Sequence, residues 1–143
     1  LPFMGYHMSD YFQHWLDLGA KLAADGAALP KIYCVNWFRK GPDGRFVWPG
    51  YGENMRVLEW VVARIEGSGA GRDHVFGLSP RYDDLNWRGL DFSREQFELV
   101  TRIDAAAWRA ELALHDEWFE QLAHHLPIEL RAAKARFEAR LAP

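Results

Sequence analysis

Lys31-Ile32-Tyr33-Cys34-Val35-Asn36-Trp37-Phe38-Arg39-Lys40-Gly41-Pro42-Asp43-Gly44-Arg45-Phe46-Val47-Trp48 is the stretch that decides how this 143-residue chain is read. From Ile32 to Phe38 it is aromatic and β-branched, the composition of a half-buried strand. Gly41-Pro42-Asp43-Gly44 supplies a turn, because proline presets φ, aspartate bonds nearby backbone and glycine accepts positive φ. Arg45 to Trp48 is then expected to return as a second strand, giving a β-hairpin. Strand alternation places Trp37 and Phe38 on opposite faces. A bulge at Gly44 would shift the pairing by one residue, so spacing leaves open whether Phe38 meets Phe46.

Helices flank the hairpin. Upstream, residues 9–25 space Tyr11, Trp15, Leu18 and Leu22 at helical intervals, with Phe12 and Leu16 beside them, Ser9 as the expected N-cap and Gly26 as terminator. Downstream, Pro49-Gly50-Tyr51-Gly52-Glu53-Asn54 reads as a loop that opens a helix from Met55 to Glu66. Asn54 stands at its N-cap, and Leu58, Val61, Val62 and Ile65 form the expected buried stripe. Gly67-Ser68-Gly69-Ala70-Gly71 has linker composition, and Val75–Leu78 reads as a brief strand. Ser93 and Gln96 form a capping box, and Asp104 caps a long helix carrying Trp108, Leu112, Phe119, Leu122 and Leu126. Pro127 breaks it before a last helix with Leu130, Ala133, Phe137 and Leu141.

The expected class is therefore α+β: a β-hairpin and short strands packed with several helices, the C-terminal helices over 93–141 ending in an antiparallel pair. One domain spanning 1–143 is expected, because a chain of this length buries roughly 65–70% of its unfolded surface. The composition, 49% hydrophobic, 15% aromatic and 26% charged, excludes disordered and disulfide-built classes. A single cysteine, Cys34, allows no intramolecular disulfide and reads as a packing residue. No apolar run approaches the roughly 18–20 residues that cross a bilayer, and Leu1-Pro2-Phe3-Met4-Gly5 lacks signal-peptide character, so a cytoplasmic protein without membrane contact is expected.

The net charge of −3 argues against a general nucleic-acid binder. Local charge differs: Lys31, Arg39, Lys40, Arg45 and Arg56 outnumber Asp43 and Glu53, so an anion is expected at residues 31–56. In the same region Trp37, Phe38, Phe46, Trp48 and Tyr51 accompany several glycines, a combination suited to stacking on a flat ring whose phosphates meet nearby cations. Those rings could equally serve as core. Asn54 offers a donor and an acceptor on one plane, able either to read a purine edge or to cap its helix, and the two uses compete for its oxygen. The six scattered histidines form no H-E-x-x-H pattern, and no G-x-x-x-x-G-K-[ST] or G-x-S-x-G occurs, so no catalytic or metal residue is assigned in this chain.

Pro30 to Lys40, then Gly44-Arg45-Phe46-Val47-Trp48-Pro49-Gly50-Tyr51-Gly52-Glu53-Asn54 and Arg56-Val57-Leu58-Glu59-Trp60, resemble GTP-dependent phosphoenolpyruvate carboxykinases near their C-terminus. The resemblance opens at Pro2-Phe3-Met4-Gly5-Tyr6 with Tyr11, His14 and Trp15. It extends more weakly through Leu85, Gly89-Leu90, Trp108 and Leu126-Pro127. It implies the C-terminal part of a larger two-lobed enzyme, expected to be a monomer, that converts oxaloacetate and GTP to phosphoenolpyruvate, CO2 and GDP in gluconeogenesis. By the same resemblance, Phe38 and Phe46 stack on one side of guanine and Tyr51 on the other. Tyr51, Gly52, Glu53 and Asn54 contact the base edge, and Trp37 forms supporting wall. Family members usually carry Phe where this chain has Tyr51. The phosphate loop, the ligands for Mn2+ or Mg2+ and the oxaloacetate-binding arginines belong upstream, so the segment alone is expected to be inactive. The competing class is a non-catalytic module whose aromatic hairpin binds a protein or a single-stranded nucleic acid.

Overall fold

The computed structural model describes residues 4–142. Leu1, Pro2 and Phe3 of the opening motif, and Pro143, lie outside the described residues. The chain divides into two compact units, one built from residues up to Pro30 and from Asp104 onward, the other from Lys31–Ile103.

The first unit holds α1 (Met8–Ala24), α4 (Ala105–Gln121) and α5 (Ile128–Arg140). Asp104 caps α4 as expected, its Oδ1 accepting from the amides of Ala106 and Ala107 at 3.0 Å. Helices α4 and α5 run antiparallel, as the sequence indicated: Arg109 Nη1 donates to the Leu141 carbonyl at 2.8 Å, and Lys134 meets Asp116 at 3.0 Å. Leu112, Phe119, Leu122 and Leu141 form the buried apolar set. Gly26, at φ 74, ends α1 by accepting the left-handed conformation, with Ala27 N bonded to Leu22 O. The start of α1 differs from expectation: His7 Nδ1 accepts from Ser9 N at 3.2 Å and supplies the cap, while the buried Ser9 turns its hydroxyl to Leu122. The packed side of the helix differs too. Phe12 and Leu16 are half-buried, Phe12 edge-on to Trp118, while Tyr11, Trp15 and Leu18 face outward.

The second unit holds α2 (Asn54–Ile65), the strands β1 (Arg72–His74) and β2 (Gly77–Ser79), and α3 (Arg94–Thr101), with single 3-10 turns at Tyr51–Glu53 and Tyr82–Asp84. Its core is aromatic: Trp48, Trp60, Leu85, Phe92 and Phe97 are buried, with Trp37, Tyr82 and Trp87 packed against them. Rings of this kind carry polar atoms that burial would orphan, and those of Trp60, Trp87 and Tyr82 find partners. Trp60 Nε1 donates to Ala70 O at 2.7 Å, Trp87 Nε1 to Tyr82 O at 2.7 Å, and Tyr82 Oη to Phe92 O at 2.6 Å. The Ser93–Gln96 capping box opens α3 as expected.

Four expectations are corrected here. The anticipated hairpin is reduced to an isolated antiparallel bridge, Lys40 to Phe46. Residues 31–36 form no ladder, because Asn36 Oδ1 captures Phe38 N at 3.0 Å and turns the chain before a strand can pair. The buried side of α2 carries Val57, Trp60 and Val61, whereas Leu58, Val62 and Ile65 are exposed, since Trp60 is the residue that enters the aromatic core. The glycine run after α2 is a bonded cap: Ser68 and Gly69 amides both donate to Ala63 O at 2.9 Å. Val75 and Phe76 form the turn between β1 and β2, so the strand begins only at Gly77, paired antiparallel with His74.

Candidate functional site

The Asx turn at Asn36 lifts Phe38 out of the extended run. Beyond it the turn closes as the sequence indicated, with Gly44 N on Gly41 O at 3.0 Å, Gly41 N on Arg45 O at 2.8 Å, and Gly44 at φ 76. Val47 N then donates to Arg39 O at 2.9 Å. These bonds settle the open question of register: the Phe38 and Phe46 rings meet at 5.7 Å between centroids, inclined by 64°. Both face outward, 69% and 56% exposed. Lys40 Nζ stands 5.7 Å from the Phe46 centroid, which leaves a cation at the margin of the ring pair.

Pro49 and Gly50 deliver the chain into the 3-10 turn. Gly50 has φ 127 and ψ −171, a region open essentially to glycine alone, and its carbonyl accepts from Glu53 N at 3.1 Å. Tyr51, next in sequence, is 91% exposed. A Cβ added at Gly52 would meet nothing within 4 Å. The Glu53 carboxylate is committed to Arg56 Nε at 2.5 Å, and Arg56 also donates to Asn86 O.

Asn54 does not cap α2. The helix begins at Asn54 itself, and Glu53 holds the N-cap position without capping the helix through its side chain. Asn54 Oδ1 instead accepts from Trp48 Nε1 at 2.8 Å. Trp48 is buried, with Trp37 tilted against it at 5.7 Å and Phe92 at 5.5 Å. Of the residues singled out from sequence, Phe38, Phe46 and Tyr51 are therefore outward rings. Trp37 is half-buried against Trp48, and Gly52, Glu53 and Asn54 occupy the turn and helix start. Sequence reading missed the tie between Trp48 and Asn54, which follows from no helical or strand period.

The cation cluster is partly consumed by the fold. Arg39 Nη1 donates to Arg102 O at 2.6 Å at the end of α3, Lys31 Nζ to Arg64 O at 3.4 Å, and Arg56 serves Glu53. Cys34, expected to pack, is exposed. From Gly52 an open groove of about 620 Å³ runs along the outer side of α2 past Met55, Leu58 and Val62 to Glu66. Among the described residues no three His, Cys, Asp or Glu side chains gather as a metal ion requires. No helix among the described residues is long and apolar enough to cross a membrane.

Outward rings can stack on a planar ring system, and an amide can bond its edge. The family model of the phosphoenolpyruvate carboxykinase C-terminal P-loop domain matches residues 1–140, and the chain belongs to that family as its C-terminal segment. Similar curated proteins are the phosphoenolpyruvate carboxykinases [GTP] of Corynebacterium jeikeium, 42% identical over 97% of this chain, and Treponema pallidum, 42% identical over 99%. That of Anaeromyxobacter dehalogenans is 44% identical over 91% of the chain and 21% of its own length. The chain covers 23% of each of the first two relatives, so it spans about a quarter of their length.

Proposed function

We propose that residues 1–143 form one domain at the C-terminal side of a GTP-dependent phosphoenolpyruvate carboxykinase and supply the wall that receives the guanine of GTP or GDP. The whole enzyme converts oxaloacetate and GTP to phosphoenolpyruvate, CO2 and GDP, the committing chemistry of gluconeogenesis, in the cytoplasm. Oxaloacetate and the Mn2+ or Mg2+ ion are held by the part of the enzyme outside these residues, and the segment alone does not turn over. Its own contribution is binding and orientation: the rings of Phe38, Phe46 and Tyr51 stack on the base, Gly52 lets the edge approach the backbone, and the Asn54 amide bonds it. Trp37 braces the pocket wall from behind.

The observation that supports this reading is the outward placement of Phe38, Phe46 and Tyr51 in a unit whose other large rings are mostly buried or half-buried, with the Phe38 and Phe46 rings in contact. A non-catalytic protein- or nucleic-acid-binding role is not favoured, because the family match covers nearly the whole chain. Calorimetric titration of the full-length enzyme with GDP and ADP tests it. Selective GDP binding that falls in both Phe38→Ala and Asn54→Ala is expected; equal affinity for the two nucleotides, or undiminished GDP affinity in both variants, overturns it.

A further inference from the structure

We propose that Trp48 is a positioning residue that sets the pocket's choice of base, by fixing which end of the Asn54 amide faces the nucleotide. The inference rests on the guanine-pocket reading above and deepens it.

An asparagine amide is symmetric in shape and opposite in chemistry: its oxygen accepts and its nitrogen donates. Left to rotate by half a turn about its last bond, Asn54 would greet a 6-oxo and a 6-amino purine equally well, presenting NH2 to one and C=O to the other. Trp48 removes that freedom. Its indole N–H can only donate, and it lies 2.8 Å from the amide, so the atom facing it is Oδ1. The Nδ2 end, with two N–H groups, is thereby turned away from the indole. An amide held in this sense complements an acceptor such as the 6-oxygen of guanine and meets the 6-amino group of adenine donor to donor.

The clamp is itself held. Trp48 is 7% exposed, packed against Trp37, Trp87 and Phe92, so its N–H direction is fixed by the core. Turning the amide over would place NH2 against N–H and strip a buried donor of its partner. Asn54 sits in the first turn of α2, and its backbone is fixed by the helix, so only the side-chain rotor remained to be set. The residue that touches the base is Asn54; Trp48 acts through it.

The test measures affinities of the full-length enzyme for GDP, ADP and 6-thio-GDP, which keeps the N1–H and 2-amino donors of guanine and replaces only the 6-oxygen by a poorer acceptor. The wild type is expected to prefer GDP to both others. Trp48→Phe keeps a ring in the core and loses the donor; GDP affinity should fall about five- to tenfold, the worth of one oriented hydrogen bond, with ADP affinity unchanged or raised. A purely structural role would weaken GDP and ADP alike, which would overturn the proposal. Asn54→Asp leaves Trp48 and the core intact and decides the matter if Trp48→Phe does not fold: a carboxylate bonded to the indole turns a second acceptor toward the base, so the preference for GDP over 6-thio-GDP should vanish. Retention of the wild-type preference in either folded variant overturns the assignment of Trp48. Undiminished GDP affinity in Phe38→Ala and Tyr51→Ala instead overturns the pocket reading on which it rests.

Discussion

The Ser9 hydroxyl donates to the Leu122 carbonyl at 3.0 Å, joining the first turn of α1 to the last turn of α4 across 113 positions of sequence. Ser9 is fully buried, and the bond occupies one of the carbonyls that a helix end leaves without an intrahelical donor. Ser9→Ala should therefore lower stability by about 1–3 kcal/mol, because the orphaned carbonyl stays away from water. A denaturant midpoint unchanged from wild type would refute the role given to this bond.

Lys134 gives a pH signature in the same unit. Its ammonium bonds Glu138 within α5 and meets Asp116 of α4 at 3.0 Å, and the Glu138 bond, with help from Asp116, outweighs burial and holds its pKa above the ordinary 10.5. A cation with a raised folded-state pKa stabilises the fold fully below its unfolded value and loses that contribution as pH climbs through the folded value. The wild type should lose stability from about pH 10.5 upward more steeply than Lys134→Met. Parallel unfolding curves for the two proteins across that range would contradict it.

Two glycines near α2 should separate cleanly. At Gly50, φ 127 makes any side chain strained, so Gly50→Ala should cost about 1–3 kcal/mol of stability. At Gly52 no such strain exists and a Cβ would enter open space. Gly52→Ala should melt within a degree or two of wild type, yet bind GDP more weakly if the base edge approaches there. Thermal melts with and without GDP read both effects.

Tyr51 makes the functional contrast sharpest. Exposed over 91% of its surface, it contributes little to the fold, and Tyr51→Ala should change stability by no more than about 0.5 kcal/mol. Removing a stacking face should cost about 1–3 kcal/mol of GDP binding, and Tyr51→Phe should restore it. Calorimetry on the three proteins checks the series.

Local signals in the sequence proved readable where one turn of chain decides the outcome. The Ser93–Gln96 box, the Asp104 cap, the terminating Gly26 and the Gly41–Gly44 turn all depend on residues within four positions of each other. Features set by distant packing were not readable. The composition of Ile32–Phe38 favours a strand, but the side chain of Asn36 turns the backbone at Phe38, and no neighbour offers Ile32 to Val35 a ladder. The apolar residues of α2 lie on more than one side, and the entry of Trp60 into the aromatic core chose which side was buried. Around the proposed site, ring, glycine and amide chemistry is visible in letters, and the outward placement of Phe38, Phe46 and Tyr51 is not. The partner of Asn54 was hidden, since a cap and an indole compete for one oxygen and only three-dimensional proximity awards it.

Trp48 spends its ring on one set of neighbours and its nitrogen on another. On the role proposed for Trp48, engineers who randomise the interior of this unit and screen survivors by heat resistance alone will also be sampling nucleotide discrimination. On that proposal, a thermally hardier descendant with a phenylalanine or leucine in that place would emerge with its choice of nucleotide already altered, unseen by the screen that selected it.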